Sequence, residues 1–564
     1  MSAGRGYLTP NRFFSSKKPI NLYVWTAIFA GVFLVILILF IIMYLPSTAD
    51  TLGRIPISFR QAQWFIAWLG LSSLEILIFL LLKRNAVLHQ NWLTGKWYLL
   101  GVIASILAVS APSFFVTALI FRVSFLRVIN GFYTLIFLFF MGLIIIWCWL
   151  GIKYSQTSKW ASIQPYPRLV FIFILFFVIY IITAVVVDNV GTPSKAYYDQ
   201  LATAFLNGKL YIENPSTIHD LTFYKGQWYL PIPPLGAILM MPLVKIFGDV
   251  GFSTVIFSIV VAATNVALVY ELLRMLMVRG WINLKKQSLP WLIVLFSVGT
   301  IHWYMAIVGT VWYNERLLAL NFMLLAVVLA LKQISPWWVG LTVGVALWSR
   351  PTSIFLWPML LGIYWQGLEL KGKDTVKALS RWTMANAVPI AVSVAGLLLY
   401  NWLRFDNLLD FGYQNQNVGI NFEAVQIHGF FNISYIPINL YHMWLGLPLL
   451  REICTFGIMP DPQGMSILFT SPALIYIVKS FKRSIWIIGA WVALILEMGL
   501  LVTQTGKHWA FGYSYTMDMI IPMTMMVAMA VGRRISWLMK ILIVVGVVIN
   551  VWGMAWFFGY YCPM

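Results

Sequence analysis

Long apolar runs separated by short polar segments make up most of the chain from residue 21 to residue 558. Most of these runs approach the roughly 20 residues that an α-helix needs to cross a bilayer. The pattern predicts an all-α polytopic integral membrane protein with about 15 transmembrane helices. The predicted spans are 21–45, 61–82, 97–121, 129–150, 168–187, 251–273, 289–309, 316–331, 336–349, 352–367, 383–402, 465–481, 484–503, 517–532 and 535–558.

The apolar runs also divide the chain into regions. We predict a cytoplasmic tail over 1–20, an accessory transmembrane bundle over 21–160, a core over 161–532 and a last transmembrane helix within 533–564. The first run follows a basic segment but is too long for a signal peptide. No small-residue cleavage site follows it, so it is interpreted as an uncleaved anchor.

Composition supports this interpretation. The 564 residues are 61% hydrophobic and only 10% charged, which excludes a water-soluble globular protein. With residue 1 in the cytoplasm, the inner loops collect 25 of the 38 Lys and Arg residues and the outer loops 13. This asymmetry fixes the orientation and explains most of the net charge of +20 without a nucleic-acid partner. Three widely spaced cysteines give no sign of a disulfide framework, zinc knuckle or redox motif.

Two predicted outer segments are long, residues 188–250 and 403–464, and both are rich in Trp, Tyr, Pro and Asn. Within the first, the spacing over 197–206 predicts a helix that ends at Asn207–Gly208. The proline-framed run over 231–248 predicts a short helix lying along the membrane interface. Because polar residues accumulate on this side, we expect the chemistry of the protein at the outer face.

Several segments resemble the GT-C superfamily of membrane glycosyltransferases, which is related to protein O-mannosyltransferases and aminoarabinose transferases and includes family 39. The first outer segment carries "YYxxLAxAFLxGxLYI" and DLTFYKGQWYLPIPPLGAILMMP, after an acid at the end of a span. WYNERLLAL (312–320), LWSRPTSIFLWP (347–358), LYNWLRFDNLLDFGY (399–413) and HWAFGYSYTMDMIIP (508–522) follow in the family's order. The resemblance covers about residues 165–530 and implies a GT-C-like bundle that transfers a sugar from a polyprenyl-phosphate donor.

The resemblance implies roles for individual residues. Asp188 would be the general base, which deprotonates the acceptor hydroxyl, and Glu315 would bind or orient the substrate in the same pocket. The implied substrate-binding residues are Tyr198, Asp199, Arg350, Arg404, Tyr413, Lys507, His508, Tyr513 and Asp518. Asp518 stands where the family usually has an arginine that contacts phosphate, which makes Lys507 and His508 candidates for that contact.

Each role has a structural alternative. Asp188 could only mark the end of a helix, and Glu315 could pair with its neighbour Arg316. Arg350, deep in an apolar region, could bind phosphate or pair with an acid. Arg404 could simply extend towards the membrane surface. Glu75 and Glu497 lie within predicted spans and are interpreted as structural.

The sequence thus predicts an inverting glycosyltransferase of the cell membrane, most simply a bacterial cytoplasmic membrane, with its site on the outer face. Its partners would be the lipid-linked donor, membrane lipids, and a glycan, lipid or protein acceptor. The six histidines form no metal-binding spacing, so a divalent metal has no support and no cofactor is firmly implied. The alternatives are a transporter or lipid flippase, although no matched pair of broken helices is visible, and a non-catalytic scaffold.

Overall fold

The computed structural model describes residues 166–248, 253–368, 372–417, 427–452, 454, 457–481, 484–505 and 510–559. All described residues from Phe176 onwards belong to one compact unit. The predicted tail, the accessory bundle with Glu75, and the candidates Lys507 and His508 lie outside the described residues.

The described part of the chain is mostly helical. Its longer helices are α1 (Tyr166–Val186), α2 (Tyr198–Leu206), α3 (Leu235–Phe247), α4 (Thr254–Val278), α5 (Leu289–Ser297), α6 (His302–Val308), α7 (Val311–Leu331), α8 (Pro336–Leu347), α9 (Trp357–Gln366), α10 (Lys373–Phe405), α11 (Ile436–Trp444), α12 (Ile467–Thr470), α13 (Ile485–Leu501), α14 (Thr516–Val531) and α15 (Trp537–Phe557). Short 3₁₀ helices cover Pro351–Leu356, Tyr413–Asn415, Ile433–Tyr435 and Pro472–Ser480. The helix predicted over 197–206 and the run over 231–248 correspond to α2 and α3.

Four of these helices are long and apolar enough to cross a membrane, namely α4, α7, α10 and α15. A fifth span is obtained if α5 and α6, which are bent by 48° at a short break, count as one. Several shorter apolar helices accompany them, among them α8, α13 and α14. The described residues therefore indicate a multi-pass membrane protein with four or five candidate spans, while the larger number of about 15 stays a prediction.

One predicted span has a different structure. Residues 465–481 form the single-turn helix α12 followed by a 3₁₀ stretch, rather than one continuous helix. The change falls at Ser471, whose φ of −144° and ψ of 65° are not helical, and at Pro472. Proline has no backbone N–H and restricts the residue before it, so the two positions together interrupt the helix.

Helix α7 lies at the centre of the described bundle and packs against α4 and α8. Amides link α7 to α4, because Asn265 donates to the carbonyl of Leu317 at 3.0 Å and Asn321 donates to Asn265 at 2.9 Å. Helix α8 approaches α10 closely at Gly344, where Ser393 donates to the glycine carbonyl at 2.5 Å. Small residues at such crossings let two helices approach closely, so that packing and interhelical hydrogen bonds stabilise the contact within a membrane.

The described chain is mostly helical, as predicted, and its loops also contain a few short strands. Strands β1 (Thr222–Tyr224) and β2 (Gln227–Tyr229) form a hairpin, and β3 (Leu449–Leu450) pairs with β4 (Ile458–Met459). Lys225 and Gly226 connect the first pair with φ values of 46° and 79°. Positive φ at both central residues matches the twist of a two-residue hairpin, so the segment FYKGQWY carried a signal for it.

The two long loops contact each other. Thr222 donates to the carbonyl of Gly412 at 2.7 Å, and the Asp220 N–H donates to the carbonyl of Asn417 at 2.7 Å. Arg404, at the end of α10, donates to the carbonyl of Leu230 at 2.6 Å. Segments far apart in sequence therefore form one cover over the end of the bundle where α7 and α14 begin, which we call the loop end.

Cys454, in the second of these loops, is disulfide-bonded. The spacing of the cysteines gave no indication of this bond, since cross-links between distant positions depend on the fold rather than on sequence separation.

Candidate functional site

A buried ion cluster lies at the loop end. Arg350 Nη1 donates to Glu315 Oε1 at 2.6 Å, and its Nη2 donates to Asp518 Oδ2 at 2.9 Å. Its Nε lies 2.7 Å from Asp518 Oδ1, so the guanidinium faces both oxygens of that carboxylate. All three side chains are almost completely buried. Of the alternatives for Arg350, the structure shows pairing with acids, and it brings together three residues that the sequence singled out.

Three different elements position these charges. Glu315 lies in the second turn of α7. Gly309 fixes where this helix starts, because its φ is 74° and the backbone of Val255 is too close to it for any side chain. Arg350 precedes the proline that opens a 3₁₀ helix and has extended backbone, φ −141°. Asp518 lies in the first turn of α14, where the positive end of the helix dipole favours an anion.

Arg316 follows Glu315 on α7 but does not pair with it. Its guanidinium lies over the ring of Tyr515, 4.6 Å from the ring centre, and the side chain is only 6% exposed. Among the described residues it has neither a hydrogen bond nor an ion pair, and its buried Nε has no acceptor. Its charge is balanced within the cluster, where Arg316 and Arg350 face the carboxylates of Glu315 and Asp518. A buried N–H without an acceptor is still costly, which makes Arg316 a candidate for ligand binding.

Arg316 borders a small cavity of about 20 Å³. Its polar lining includes Thr352, Glu497 and Asp518, and the Glu497 Oε1 atom has no hydrogen-bond partner in the described structure. The cavity has room for about one water molecule. A larger group can bind there only if the neighbouring side chains move apart.

Two tyrosines from the loops reach the same cluster. Burial raises the pKa of Tyr198 well above its ordinary value, and the negative charge of Glu315 acts in the same direction. The pKa of Tyr413 is raised by the same two causes and is opposed by Arg350. The charges of Glu315 and Arg350 act on the pKa of both tyrosines, so Tyr198 and Tyr413 lie in the surroundings of the ion cluster.

Asp188 has a different environment. It follows α1 with a φ of 53° and is exposed. Its carboxylate makes no hydrogen bond or ion pair within the described part of the chain. The structure places Asp188 near the loop end, because its neighbour Asn189 donates to the carbonyl of Ile307 at 2.6 Å. No described contact joins it to Glu315, so a shared pocket for the two acids stays a prediction.

The other sequence candidates fall into two groups. Asp199 and Tyr513 are almost completely buried, and the Tyr513 hydroxyl has no hydrogen-bond partner in the described ranges. Arg404 is buried as well, but its guanidinium binds Leu230 and Asn401 and lies 4.0 Å from the ring centre of Tyr400. These contacts tie α10 to the first hairpin and explain Arg404 as a structural residue.

A second polar group, which we call the Trp312 cluster, lies at the start of α7 and consists of Lys195, His219, Asp220 and Trp312. The Lys195 ammonium is 5.8 Å from the centre of the indole, and the His219 ring meets the indole edge-on at 6.0 Å. Asp220 Oδ2 is 3.8 Å from His219 Nε2, and the carboxylate interacts with the Trp312 N–H. Sequence reasoning did not identify this cluster as a site.

Neither Arg316 nor the Trp312 cluster was chosen from the sequence, although both lie within or beside the quoted motifs. Trp312 and Arg316 are four residues apart in WYNERLLAL, a spacing that places both on one face of a helix. That spacing was the available signal. The pairing of Glu315 with Arg350 instead of Arg316 depends on tertiary structure alone.

The described residues contain no group of three or more His, Cys, Asp or Glu side chains arranged to hold a metal ion. No family model matches the chain, and no curated protein matches it with significance. The likeness to GT-C glycosyltransferases therefore depends on the motifs quoted above.

Proposed function

We propose that the protein is a membrane glycosyltransferase that transfers a sugar from a polyprenyl-phosphate donor to an acceptor at the loop end of the bundle. The observation that supports this most directly is the unpaired, buried Arg316 beside a polar cavity. A phosphate attached to a lipid supplies an acceptor for the unpartnered Arg316 Nε while its prenyl chain stays in the bilayer. The choice of sugar transfer, rather than another reaction of a lipid phosphate, depends on the resemblance.

Arg316 has the chemistry for the donor's leaving group. As the bond between the sugar and the phosphate breaks, negative charge develops on the phosphate oxygens. A fixed cation in a water-poor site stabilises that charge strongly. Arg350 is less suited to this role because Glu315 and Asp518 already neutralise it.

We also propose that the loop end faces the outer side of the membrane. The distribution of Lys and Arg supports this orientation. The disulfide at Cys454 supports it independently, because disulfides persist in oxidising compartments and are rare in the cytosol. Maleimide labelling of Cys454 in intact cells should occur only after reduction. Labelling of unreduced protein from the cytosolic side would contradict the orientation.

The donor site can be tested before the sugar is known, because every donor of this class releases a polyprenyl phosphate. Purified protein in lipid nanodiscs should bind undecaprenyl phosphate, and undecaprenol, which lacks the phosphate, should bind much more weakly. Arg316→Met should abolish this preference. Arg451→Met is the matched control, since Arg451 is an exposed cation in the second loop.

Binding that does not distinguish the phosphate from the alcohol would contradict the proposal. The reaction itself is tested with undecaprenyl phosphate carrying radiolabelled hexoses or pentoses, with washed envelope membranes as acceptor. Label should pass to the membranes as undecaprenyl phosphate appears.

A second candidate is a transporter of lipid-linked anions, favoured by the break between α5 and α6. Broken helices near buried charge are a feature of transporters. This alternative predicts movement of undecaprenyl phosphate across proteoliposome membranes without chemical change. Transfer of label to an acceptor, without such movement, would exclude it.

A further inference from the structure

The Trp312 cluster is built by strained backbone and by contacts between distant loops. Tyr197 and Asp220 have φ values of 53° and 62°, which non-glycine residues rarely adopt. The Tyr197 hydroxyl donates to the carbonyl of His219 at 2.5 Å and so holds the chain just before Asp220. Backbone strain of this kind persists only where surrounding contacts impose it, and Asp188 shares it with a φ of 53°.

Contacts with the second loop fix the backbone of Asp220 from the other side. Its N–H donates to the carbonyl of Asn417 at 2.7 Å, and its carbonyl accepts from Gln416 at 3.2 Å. The carboxylate remains partly accessible, with 21% of the side chain exposed. An acid that is fixed at its backbone and still open at its side chain can meet a ligand without large rearrangement.

The cluster lies directly beside the proposed phosphate site. Trp312 and Arg316 are one turn apart on α7, which corresponds to about 6 Å along the helix axis. This separation is comparable to the width of one sugar ring. A donor with its phosphate at Arg316 would therefore present its sugar towards Trp312, whose half-exposed indole is a suitable surface for a sugar ring.

We propose that Asp220, rather than Asp188, is the general base of the transfer reaction, and that Lys195, His219 and Trp312 form the subsite that holds the acceptor hydroxyl beside it. This inference rests on the proposed function. The hydroxyl proton passes to the Asp220 carboxylate while the acceptor oxygen bonds to the anomeric carbon. The bond between that carbon and the phosphate oxygen breaks, and its electron pair leaves with polyprenyl phosphate beside Arg316.

The surroundings of Asp220 suit this role. Burial raises the pKa of its carboxyl, whereas His219, Lys195 and Trp312 lower it. A general base works best when its pKa lies nearer to the working pH than that of a free carboxylate. Asp188 is exposed and makes no hydrogen bond or ion pair with the described residues.

Turnover of the labelled donor by Asp220→Asn and Asp188→Asn, each in nanodiscs with saturating donor, tests the assignment. We expect Asp220→Asn to reduce the rate by about 10²–10⁴-fold, with undecaprenyl phosphate binding unchanged. Asp188→Asn should keep more than a tenth of the wild-type rate. The reverse ranking, or loss of donor binding in Asp220→Asn, would overturn the assignment.

The pH profile separates a base from a structural residue. Activity should rise with pH as Asp220 loses its proton. Lys195→Gln removes a positive charge that lowers the pKa of Asp220, so this variant should move the acidic limb to higher pH. An unmoved limb in this variant would overturn the proposal. A wild-type protein that neither binds undecaprenyl phosphate nor transfers sugar would instead overturn the proposed function, and this inference with it.

Discussion

Buried ion clusters lie at both ends of the described bundle, and their partnerships differ. At the end opposite the loops, Glu271 binds Arg274 at 2.6 Å and Lys332 at 2.9 Å. At the loop end, Arg350 is enclosed by two carboxylates, and Arg316 has no partner among the described residues. The first cluster connects α4 to the end of α7, and its single carboxylate binds both of its cations.

The comparison shows how to distinguish a structural cluster from a functional one. Buried charge alone does not make the distinction, because both ends contain it. A buried N–H without an acceptor beside a cavity does, because a bound ligand can supply the missing acceptor. On this basis we propose the loop end, and Arg316 in particular, as the functional end of the molecule.

The largest effect on folding is expected for Arg350→Met. The substitution leaves Glu315 and Asp518 buried without their common cation, which typically costs about 3–5 kcal/mol. Thermal unfolding in nanodiscs should show a clear loss of stability. Glu315→Gln and Asp518→Asn introduced together with Arg350→Met should recover part of it. A single variant as stable as wild type would mean that the cluster contributes nothing to the fold.

Arg316→Met should have the opposite profile. No ion pair is broken, so the unfolding temperature should hardly change. Loss of a group that stabilises transition-state charge typically reduces turnover by about 10²–10³-fold. The measurements are the unfolding temperature and donor turnover of the same preparation, with Arg451→Met as control. A large loss of stability with normal turnover would remove the distinction between the two arginines.

At the opposite end, Arg274→Met should affect only stability. It removes charged hydrogen bonds to Glu271, each worth about 1.5–3 kcal/mol, while Lys332 remains as a counterion. The loss should be smaller than for Arg350→Met, and turnover at a temperature where the variant is folded should equal that of wild type. Reduced turnover of the folded variant would show that this end also takes part in function.

Local patterns predicted much of the fold and less of the site. Apolar runs gave the positions of α4, α7 and α14, because a helix that is buried on most sides within the bundle is apolar over most of its length. Glu315, Arg350 and Asp518 were chosen individually, since charge in an apolar region is visible in sequence. Their pairing was not visible, because it depends on which helices are neighbours.

The second site shows a sharper limit. His219 and Asp220 stand in an ordinary loop segment, and nothing in their spacing indicates that Asn417 fixes the backbone there. Loops obtain their structure from contacts with distant segments rather than from a repeating pattern. Sequence reasoning therefore chose Asp188, whose position at the end of a span is visible, and gave no reason to choose Asp220.

The smallest effect expected is a difference in pH dependence between two loop acids. Burial raises the pKa of Asp220, so its ionisation opposes folding. The stability that protonated Asp220 contributes is fully present below its pKa in the unfolded chain. This stability is lost as the pH rises through its pKa in the folded protein. Asp220→Asn should therefore be at least as stable as wild type near neutral pH.

Asp406 should behave in the opposite way. Hydrogen bonds from Lys225 and then from Tyr224 lower the pKa of its carboxyl. Asp406→Asn should therefore be slightly less stable than wild type at neutral pH and equally stable in acid. Unfolding temperatures measured between about pH 2 and pH 8 decide this, and equal slopes for both variants would contradict the opposite signs.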